Sequence, residues 1–369
     1  MRILQVCQRY APYIGGVEEH VRNISERLAK EFDVSVATTD PSGRLPEKAT
    51  INGVEILRFK SWAPNESYFL STTLKDFLRE NSDNFDVVHA HCYHSFPALY
   101  AAQAKGNNKF VFSPHYHGKG HTFFRNVLHF PYRFVGKRIF EKAEKIVCVS
   151  AHEKSLILDK FEFDGGKIVV IPNGINKKEF ENLRKNTTDH KVILYVGRLE
   201  KYKGVQFLIK VLQDLDKDIT LEIVGTGPYK GSLIGLAKKL AVEDRVKFYQ
   251  NLSRKEILAR YAVADVFVLL SKHEAFGISV AEALASKTPC VVANNSALTE
   301  WIDNQNCFGI TYPIQIKELA ELISSTMGKK VCKVGLWDWE QVTQKLREQY
   351  EDLERPSRVH ALSVNHAVA

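Results

Sequence analysis

The first half of the chain alternates short apolar runs with segments of helical periodicity. Apolar runs typical of buried strands occupy seven segments, at 3–8, 34–38, 54–59, 86–91, 110–113, 145–150 and 168–171. Between the first two, Val17, Val21, Ile24 and Leu28 recur at helical spacing with charged residues between them, which predicts an amphipathic helix. Strands that alternate with helices indicate βαβ units and a parallel sheet.

The same pattern begins again after a polar stretch at 182–190, which we interpret as a linker. Further strands are predicted at 192–196, 220–224, 246–249, 266–270 and 289–293. We therefore predict an α/β fold of two doubly wound, Rossmann-like domains, 1–180 and 181–338, with ligands bound in a cleft beyond the carboxyl ends of the strands. A last helix is predicted at 339–353, and 354–369 shows no sustained period.

Length and composition agree with two ordinary globular domains. The chain has 369 residues, of which 44% are apolar and 25% are charged, values that exclude a disordered, collagenous or disulfide-scaffold protein. No uncharged apolar run approaches the roughly 18 residues of a membrane helix. The chain opens on a predicted strand rather than on a signal peptide. We expect a cytoplasmic protein, with peripheral contact at the inner membrane face as a further hypothesis.

Neither the cysteines nor the net charge identifies a ligand. The six cysteines are scattered without a C-x-x-C pair, which favours reduced core residues over a zinc site. The formal net charge of +8 favours anionic partners without choosing among them. Asp214 and Asp216 form a D-x-D metal motif, but they precede a predicted strand instead of following one. We interpret them as a solvated turn and predict no metal site.

Glycines and cations follow the first strand of each half. Gly15 and Gly16 lie between a strand and a helix, where a tight turn and the amides of the helix start suit a phosphate. In the second half, Gly197, Arg198 and Lys203 follow a strand, and two fixed cations there suit a diphosphate. The alternatives are a plain turn for the glycines and solvated surface charges for the cations.

Two carboxylates, Glu274 and Glu282, follow the predicted strand at 266–270. A carboxylate accepts two hydrogen bonds and therefore suits a vicinal diol of a sugar. The amides of Gly277, Ile278 and Ser279, where a helix is predicted to begin, suit a phosphate. The alternative is an ordinary acidic loop.

Taken in order, these motifs resemble those of the retaining GT-B glycosyltransferases of family 4, which include glycogen, sucrose and phosphatidylinositol mannosyl synthases. The resemblance covers nearly the whole chain. It rests on Gly15-Gly16-Val17-Glu18-Glu19-His20, Phe85-Asp86-Val87-Val88-His89-Ala90-His91, Ile171-Pro172-Asn173-Gly174-Ile175-Asn176, Gly197-Arg198-Leu199 with Lys203-Gly204, Val224-Gly225-Thr226-Gly227-Pro228, and Glu274 with Glu282. The closing helix resembles the family's last helix, which crosses back onto the N-terminal domain.

The resemblance implies a role for each donor-site residue. Gly16 and its neighbouring amides would face the donor diphosphate, and Arg198 and Lys203 would neutralise it. Glu274 would bind hydroxyls of the transferred sugar, and Glu282 would bind the ribose diol. The N-terminal domain would bind the acceptor and the C-terminal domain the nucleotide sugar.

The resemblance also implies an active-site histidine, His115, at the end of an N-domain strand. His117 is a rival for the same role. Transfer would proceed with retention, through an oxocarbenium-like transition state, without a metal ion and without a cofactor. The predicted catalytic residues are His115, Arg198, Lys203 and Glu274, and the predicted donor-binding residues are Gly15, Gly16, Gly197, Gly277, Ile278, Ser279 and Glu282.

A basic and aromatic segment, 115–138, follows directly from the predicted active-site histidine. Its cations are Lys119, Arg125, Arg133, Lys137 and Arg138, and it contains no acidic residue. This composition suits an anionic membrane interface and, with it, a lipid-linked acceptor. The alternative is a core helix with a solvated basic face. No nucleic-acid-reading motif accompanies the segment.

We therefore predict a nucleotide-sugar-dependent hexosyltransferase that acts on a hydroxyl acceptor, either lipid-linked or a polysaccharide precursor. One alternative is an epimerase or a phosphorylase of similar two-domain fold. The other is a non-catalytic protein that binds nucleotide sugars. Release of nucleotide only in the presence of an acceptor separates the first hypothesis from the others.

Overall fold

The fold is that of a computed structural model of the whole chain. It describes residues 1–118, 136–161, 163–181, 183 and 190–355, apart from the side chain of residue 65. Most of the predicted linker at 182–190 and most of the predicted tail at 354–369 lie outside the described residues.

The first half folds around an eight-stranded sheet. The strands are β1 Arg2–Cys7, β2 Asp33–Asp40, β3 Lys48–Ile51, β4 Val54–Lys60, β5 Val87–His91, β6 Lys109–Ser113, β7 Lys145–Cys148 and β8 Ile168–Val170. Their order across the sheet is β3-β4-β2-β1-β5-β6-β7-β8. Every neighbouring pair is parallel except β3 and β4.

Helices connect these strands. Their bounds are Gly16–Leu28, Thr72–Asn81, Phe96–Gln103 and Ala151–Lys160, and residues 136–142 are also helical. The hydroxyls of Ser71 and Ser150 cap two of the helices by accepting the amide protons of Leu74 and Glu153, which satisfies donors that a helix start leaves without an intrahelical partner.

The closing helix, Trp339–Glu354, packs on the first half of the chain. Trp339, Val342, Leu346 and Tyr350 are buried and recur at helical spacing, so they form the apolar face that the sequence pattern predicts. The end of the helix differs from the prediction by one residue.

The second half folds around a six-stranded sheet in which every neighbouring pair is parallel. The strands are β9 Lys191–Val196, β10 Ile219–Val224, β11 Val246–Tyr249, β12 Val266–Leu269, β13 Cys290–Ala293 and β14 Cys307–Ile310, in the order β11-β10-β9-β12-β13-β14. The accompanying helices are Lys177–Glu181, Val205–Val211, Lys230–Lys239, Arg254–Val263, Ile278–Ala285 and Ile316–Thr326. The predicted fold class, two Rossmann-like α/β domains, is confirmed.

Two edge strands were not predicted. Strand β3 has the sequence Lys-Ala-Thr-Ile with no buried residue, so it lacks the apolar run that marks a buried strand. Strand β14 contains Gly309, and glycine weakens the strand pattern. Both lie at sheet edges, where each pairs with a single neighbouring strand.

The chain divides into two compact units. The first consists of the described residues within Met1–Tyr116, Thr122–Asn173 and Trp339–Ala369, and the second of those within His117–His121 and Gly174–Asp338. The division between residues 173 and 174 lies before the boundary at 180 that the sequence suggests. Asn173 bonds to His20 of the first unit, whereas the Ile175 amide donates to the Trp337 carbonyl of the second.

The segment with the predicted membrane contact is described only near its ends. Lys119, Arg125 and Arg133 lie outside the described residues. Lys137, at its helical end, lies 3.9 Å from the carboxylate of Glu141. None of the helices in the described ranges combines the length and the hydrophobicity that a membrane span requires.

Candidate active site

The second unit brings its predicted site residues together at one edge of the sheet. Strands β9 and β12 are adjacent, and β9 is the strand at which the order of the parallel sheet reverses. Lys203 follows β9, and Glu274 follows β12. In open parallel sheets, ligands bind outside the carboxyl ends of strands at such a switch point.

Lys203 and Glu274 form a buried ion pair. The lysine Nζ donates to the Glu274 Oε1 over 2.5 Å, and the two side chains are only 14% and 15% exposed. Burial disfavours the charged lysine, but the carboxylate of Glu274 outweighs burial and raises the pKa of Lys203. The sequence predicted that both residues contact the donor, but it did not predict that they contact each other.

Gly204 explains how the two loops come so close. Its φ is 79°, and a Cβ on it would lie 2.3 Å from the carbonyl oxygen of Leu270. A side chain at this position would therefore push the loop after β9 away from the loop after β12. The amide of Lys272 also donates to the carbonyl oxygen of Tyr202 over 2.9 Å, which joins the two loops.

Arg198 directly follows Gly197 at the end of β9. Its side chain is 51% exposed and lies 3.3 Å from the carboxylate of Glu200. The Tyr195 hydroxyl donates to the Arg198 carbonyl oxygen over 2.8 Å and so holds the backbone of this turn. The charge of Arg198 opposes the rise in the pKa of Lys203, so the two cations act on each other.

The helix Ile278–Ala285 begins as the sequence predicts. Gly277 precedes it with a φ of 92°, and no side chain of the described residues caps the helix start. Because the first amides of a helix have no acceptor within the helix, those of Ile278 and Ser279 are suited to an anion. Gly277 cannot carry a side chain without strain, since this φ favours glycine.

Glu282 lies in the same helix, but protein groups already bind both of its oxygens. Arg254 donates to Oε1 over 2.6 Å, and the Tyr261 hydroxyl donates to Oε2 over 3.0 Å. Arg254 also lies 2.7 Å from Glu179. Burial disfavours the guanidinium charge, but the two carboxylates outweigh it and raise the pKa of Arg254.

Sequence reasoning missed Arg254, Tyr261 and Glu179 as neighbours of this site. Arg254 and Tyr261 belong to the helix Arg254–Val263, whose start is marked by a capping box of Ser253 and Glu256. That signal locates the helix, but nothing in the sequence says which way Arg254 extends.

In the first unit, His115 lies just beyond the end of β6, as predicted. Its φ is 47°, a backbone conformation that is uncommon outside glycine and often found at functional sites. Its ring centroid lies 4.9 Å from that of His20 and 5.8 Å from that of His91. His117, the rival candidate, groups with the second unit instead.

The histidines around His115 are held neutral. Burial lowers the pKa of His20 to about 4, although its hydrogen bond to Asn173 opposes the change. Burial likewise lowers the pKa of His91 and of His115. His20 and His91 belong to motifs that carry the family resemblance, but the sequence did not assign them a place beside His115.

The glycine pair lies at the start of the first helix, and a carboxylate lies beside it. Gly15 precedes the helix, and a Cβ on it would lie 2.3 Å from the Glu18 carboxylate. A Cβ on Gly16 would meet no atom of the described residues within 4 Å. Glu18 is buried and bonds to Arg9 over 2.9 Å. A carboxylate therefore lies at this helix start, beside the amides that were expected to face a phosphate.

The D-x-D motif lies in an exposed turn, as expected. Asp214 and Asp216 are both exposed and precede β10. The carbonyl oxygen of Asp216 accepts a hydrogen bond from Arg245 over 2.6 Å, so the turn is tied to the body of the second unit.

Comparison with known proteins identifies the class of the chain. Residues 14–179 match the profile "Glycosyltransferase Family 4", and residues 176–332 match "Glycosyl transferases group 1". The glycogen synthase of Mycobacterium tuberculosis is 30% identical over 358 residues, which cover 89% of this chain and 86% of that protein.

Two solved structures share the fold. Sucrose-phosphate synthase from Thermosynechococcus elongatus superposes with a TM-score of 0.80 at 20% identity, over 96% of this chain and 99% of that one. Anabaena HepE in complex with UDP-glucose superposes with a TM-score of 0.76 at 18% identity, over 95% and 100%. The fold and the two profiles define a glycosyltransferase of GT-B architecture. The chain belongs to glycosyltransferase family 4, the glycosyl transferases of group 1.

Proposed function

We propose that this glycosyltransferase moves a hexose from a nucleotide-diphosphate sugar to a hydroxyl acceptor, with retention at the anomeric carbon and without a metal ion or other cofactor. The observation that carries the proposal is the buried pair of Lys203 and Glu274, which lies beyond the carboxyl ends of two adjacent strands. The complex of Anabaena HepE with UDP-glucose supports this class of donor.

A nucleotide sugar is the kind of ligand that can divide this pair without leaving either charge unsatisfied. Separating a buried ion pair is strongly unfavourable unless each partner receives a new one. The diphosphate would take Lys203 in a charge-assisted hydrogen bond. The hydroxyls of the transferred sugar would donate to Glu274. One ligand then supplies a new partner to each residue of the pair.

Glu282 differs from Glu274, because it can keep its protein partners when the ligand binds. Arg254 and Tyr261 each use one lone pair of the Glu282 carboxylate, and a carboxylate offers about four. The ribose diol would therefore bind to an anchored carboxylate. The amides of Ile278 and Ser279 would receive a donor phosphate oxygen.

The mechanism follows from where charge develops. As the bond between the anomeric carbon and the diphosphate oxygen breaks, Lys203 and Arg198 stabilise the departing negative charge. The leaving oxygen takes the proton of the acceptor hydroxyl, and the acceptor oxygen bonds to the same face of the anomeric carbon. No protein carboxylate acts as a nucleophile in this scheme, in contrast to retaining glycosidases. We assign the orientation of the sugar hydroxyls to His115.

For the acceptor, we retain the lipid-linked and polysaccharide-precursor hypotheses together with a cytoplasmic location. The lipid-linked hypothesis depends on the basic and aromatic segment at 115–138, most of which lies outside the described residues. Cosedimentation of the protein with anionic vesicles at low salt would support it, and failure to bind them would favour a soluble acceptor.

The proposal is tested by incubation with UDP-, GDP- and ADP-sugars. A thermal-shift screen finds the donor, because a ligand of the native state raises apparent stability. We expect nucleotide release only when an acceptor is added, with the anomeric configuration of the donor kept in the product. Sugar interconversion without an acceptor would instead identify an epimerase, phosphate-dependent release a phosphorylase, and binding without turnover a non-catalytic protein.

A further inference from the structure

Four buried or partly buried histidines meet at the carboxyl ends of β1, β5 and β6 in the first unit. They are His20, His89, His91 and His115. The rings of His89 and His91 lie 4.1 Å apart between centroids, and those of His20 and His91 lie 5.5 Å apart. Of these four, the proposed reaction uses only His115.

The hydrogen bond of His20 decides which of its nitrogens carries the proton. Nδ1 lies 2.6 Å from the Oδ1 of Asn173, which can only accept. Nδ1 is therefore the protonated nitrogen of the neutral ring, and the lone pair is on Nε2. This Nε2 is buried and has no hydrogen-bond partner among the described residues.

In His91 the proton is on the other ring nitrogen. Its Nε2 lies 2.7 Å from the Oε1 of Gln5, so Nε2 carries the proton and the lone pair is on Nδ1. The amide nitrogen of Gln5 donates to the Tyr350 hydroxyl over 3.3 Å, which fixes the orientation of the amide. The Nδ1 of His91 is buried and, within the described ranges, has no partner.

His89 differs from both because each of its nitrogens is occupied. Its Nδ1 lies 2.6 Å from the Tyr350 hydroxyl, and its Nε2 lies 2.8 Å from the Ser113 hydroxyl. Since Tyr350 accepts from Gln5, its own proton is directed to His89. His89 therefore has no lone pair to offer, and it completes the shell around its neighbour His91.

Ring nitrogens of His20, His91 and His115 converge. One ring nitrogen from each of His20, His91 and His115 lies within 4.8 Å of those of the other two. The Nε2 of His115 is also buried without a partner in the described part of the chain. A water molecule has two protons and satisfies at most two such lone pairs, whereas a cation accepts all three.

We propose that His20, His91 and His115 form a binding site for a zinc-type divalent cation. Three neutral imidazoles with an open fourth position are a recognised zinc ligand set. Ligating histidines almost always donate their other N–H to an oxygen acceptor, and His20 and His91 already do so toward Asn173 and Gln5. An all-nitrogen set selects Zn²⁺, Co²⁺ or Cu²⁺ over Mg²⁺ or Ca²⁺.

Occupation of this site inhibits sugar transfer, a consequence that rests on the proposed function. A bound cation takes the lone pair of His115 that would otherwise receive a sugar hydroxyl. His115 is the partly exposed member of the three, so we expect the ion to enter past it and to keep water as its fourth ligand. The proposed reaction itself needs no metal, so zinc acts here as an inhibitor.

The binding claim is tested without any donor sugar. Zn²⁺ is titrated into the chelator-treated full chain in competition with a zinc-sensitive dye, and Co²⁺ is used to obtain a visible spectrum. We expect one tightly bound ion per chain. His20→Asn and His91→Gln keep the outer N–H donor of each histidine but remove the ligating nitrogen. Each should weaken zinc binding by more than about a hundredfold, since even outer-shell changes reduce metal affinity roughly 10–100-fold.

His152→Ala, at a partly exposed histidine of the first unit, is the matched control and should leave zinc binding unchanged. If a ligand variant does not fold, X-ray absorption of the zinc-loaded wild type counts the imidazoles directly, and we expect three. The site is overturned if the wild type does not bind zinc tightly, or if His20→Asn and His91→Gln bind zinc as tightly as the wild type. Zinc that binds at the three histidines without slowing transfer overturns the inhibition alone. If no nucleotide sugar is turned over, the proposed function fails and the binding result still stands.

Discussion

The histidine cluster of the first unit and the acid–base pairs of the second unit are in different electrical states. The first unit buries neutral imidazoles whose protons are ordered by Asn173 and Gln5. The second unit holds ion pairs, of Lys203 with Glu274 and of Arg254 with Glu282. Burial depresses the pKa of the histidines, whereas a charged partner overcomes burial at Lys203.

This difference determines which kind of ligand each unit suits. A neutral lone pair accepts a hydroxyl proton or a metal ion without giving up an existing bond. A paired charge binds a ligand only by exchange, so it favours ligands that carry both an anion and hydrogen-bond donors. A sugar hydroxyl fits the first arrangement, and a nucleotide sugar fits the second.

The largest expected effect comes from removing a cation of the second unit. Lys203→Ala and Arg198→Ala should each reduce turnover by about a hundredfold or more, the usual loss when one preorganised charge stabiliser is removed. Initial rates at saturating donor measure the effect. Lys201→Ala, at an exposed lysine of the same turn, is the control and should remain close to wild type. Near-wild-type turnover in both cation variants would show that these residues do not clamp the diphosphate.

A smaller effect is expected at the anchored carboxylate. Glu282→Ala should weaken binding of the free nucleoside diphosphate by roughly ten- to a hundredfold, since one hydrogen bond to a charged group contributes about 1.5–3 kcal/mol. Calorimetry measures the affinity. Glu321→Ala, at an exposed carboxylate of the helix Ile316–Thr326, is the control and should bind like the wild type. An unchanged affinity in Glu282→Ala would assign the ribose to another residue.

The first unit also buries Glu153, an acid whose carboxyl group accepts hydrogen bonds from backbone amides. Burial raises the pKa of Glu153 to about 8, opposed by the amides of Val149 and Tyr116 that donate to it. The unfolded chain releases this proton near pH 4.5, so between these two values the folded state holds more protons. The free energy of unfolding should therefore fall as pH rises through this window.

Glu153→Gln removes the titrating group. Denaturant titrations at several pH values should show a difference from the wild type of a few kcal/mol across the window, since each unit of pKa difference corresponds to about 1.4 kcal/mol. Equal pH dependence in the two proteins would mean that Glu153 ionises normally.

No loss of activity is expected from removal of metal ions. Excess EDTA should leave the initial rate unchanged or raise it, because the diphosphate charge is met by Lys203 and Arg198, and any zinc at the histidines is inhibitory. Rates with EDTA and with added Mg²⁺ or Mn²⁺ check this. Loss of activity in EDTA that either ion restores would contradict a metal-independent reaction.

The predictable part of the fold is marked by runs of apolar side chains. Strands such as β1 and β9 are apolar runs and were predicted, and so was the edge strand β11, whereas β3 has only two apolar residues in four and β14 is interrupted by Gly309. The loops at 198–203 and 274–282 could be located from glycines and charges alone.

The pairings within the site were not predictable in the same way. The pair of Lys203 and Glu274 joins loops that are far apart in the sequence, and only the adjacency of β9 and β12 brings them together. The proton order of His20 and His91 depends on Asn173 and Gln5, which are ordinary polar residues in the sequence. Periodicity reports burial, but it carries no information about side-chain direction or hydrogen-bond partners.

The central claim is that the nucleotide-sugar donor gives Lys203 and Glu274 each a new partner in place of the other. Calorimetric binding of the free nucleoside diphosphate to the wild type, Lys203→Ala and Glu274→Ala tests it most directly. The diphosphate needs Lys203 but competes with Glu274 for it. We therefore predict that Lys203→Ala binds much more weakly than the wild type, and that Glu274→Ala binds at least as tightly while losing sugar transfer. Equal weakening of nucleotide binding in both variants would contradict the exchange, because the pair would then act as one structural unit.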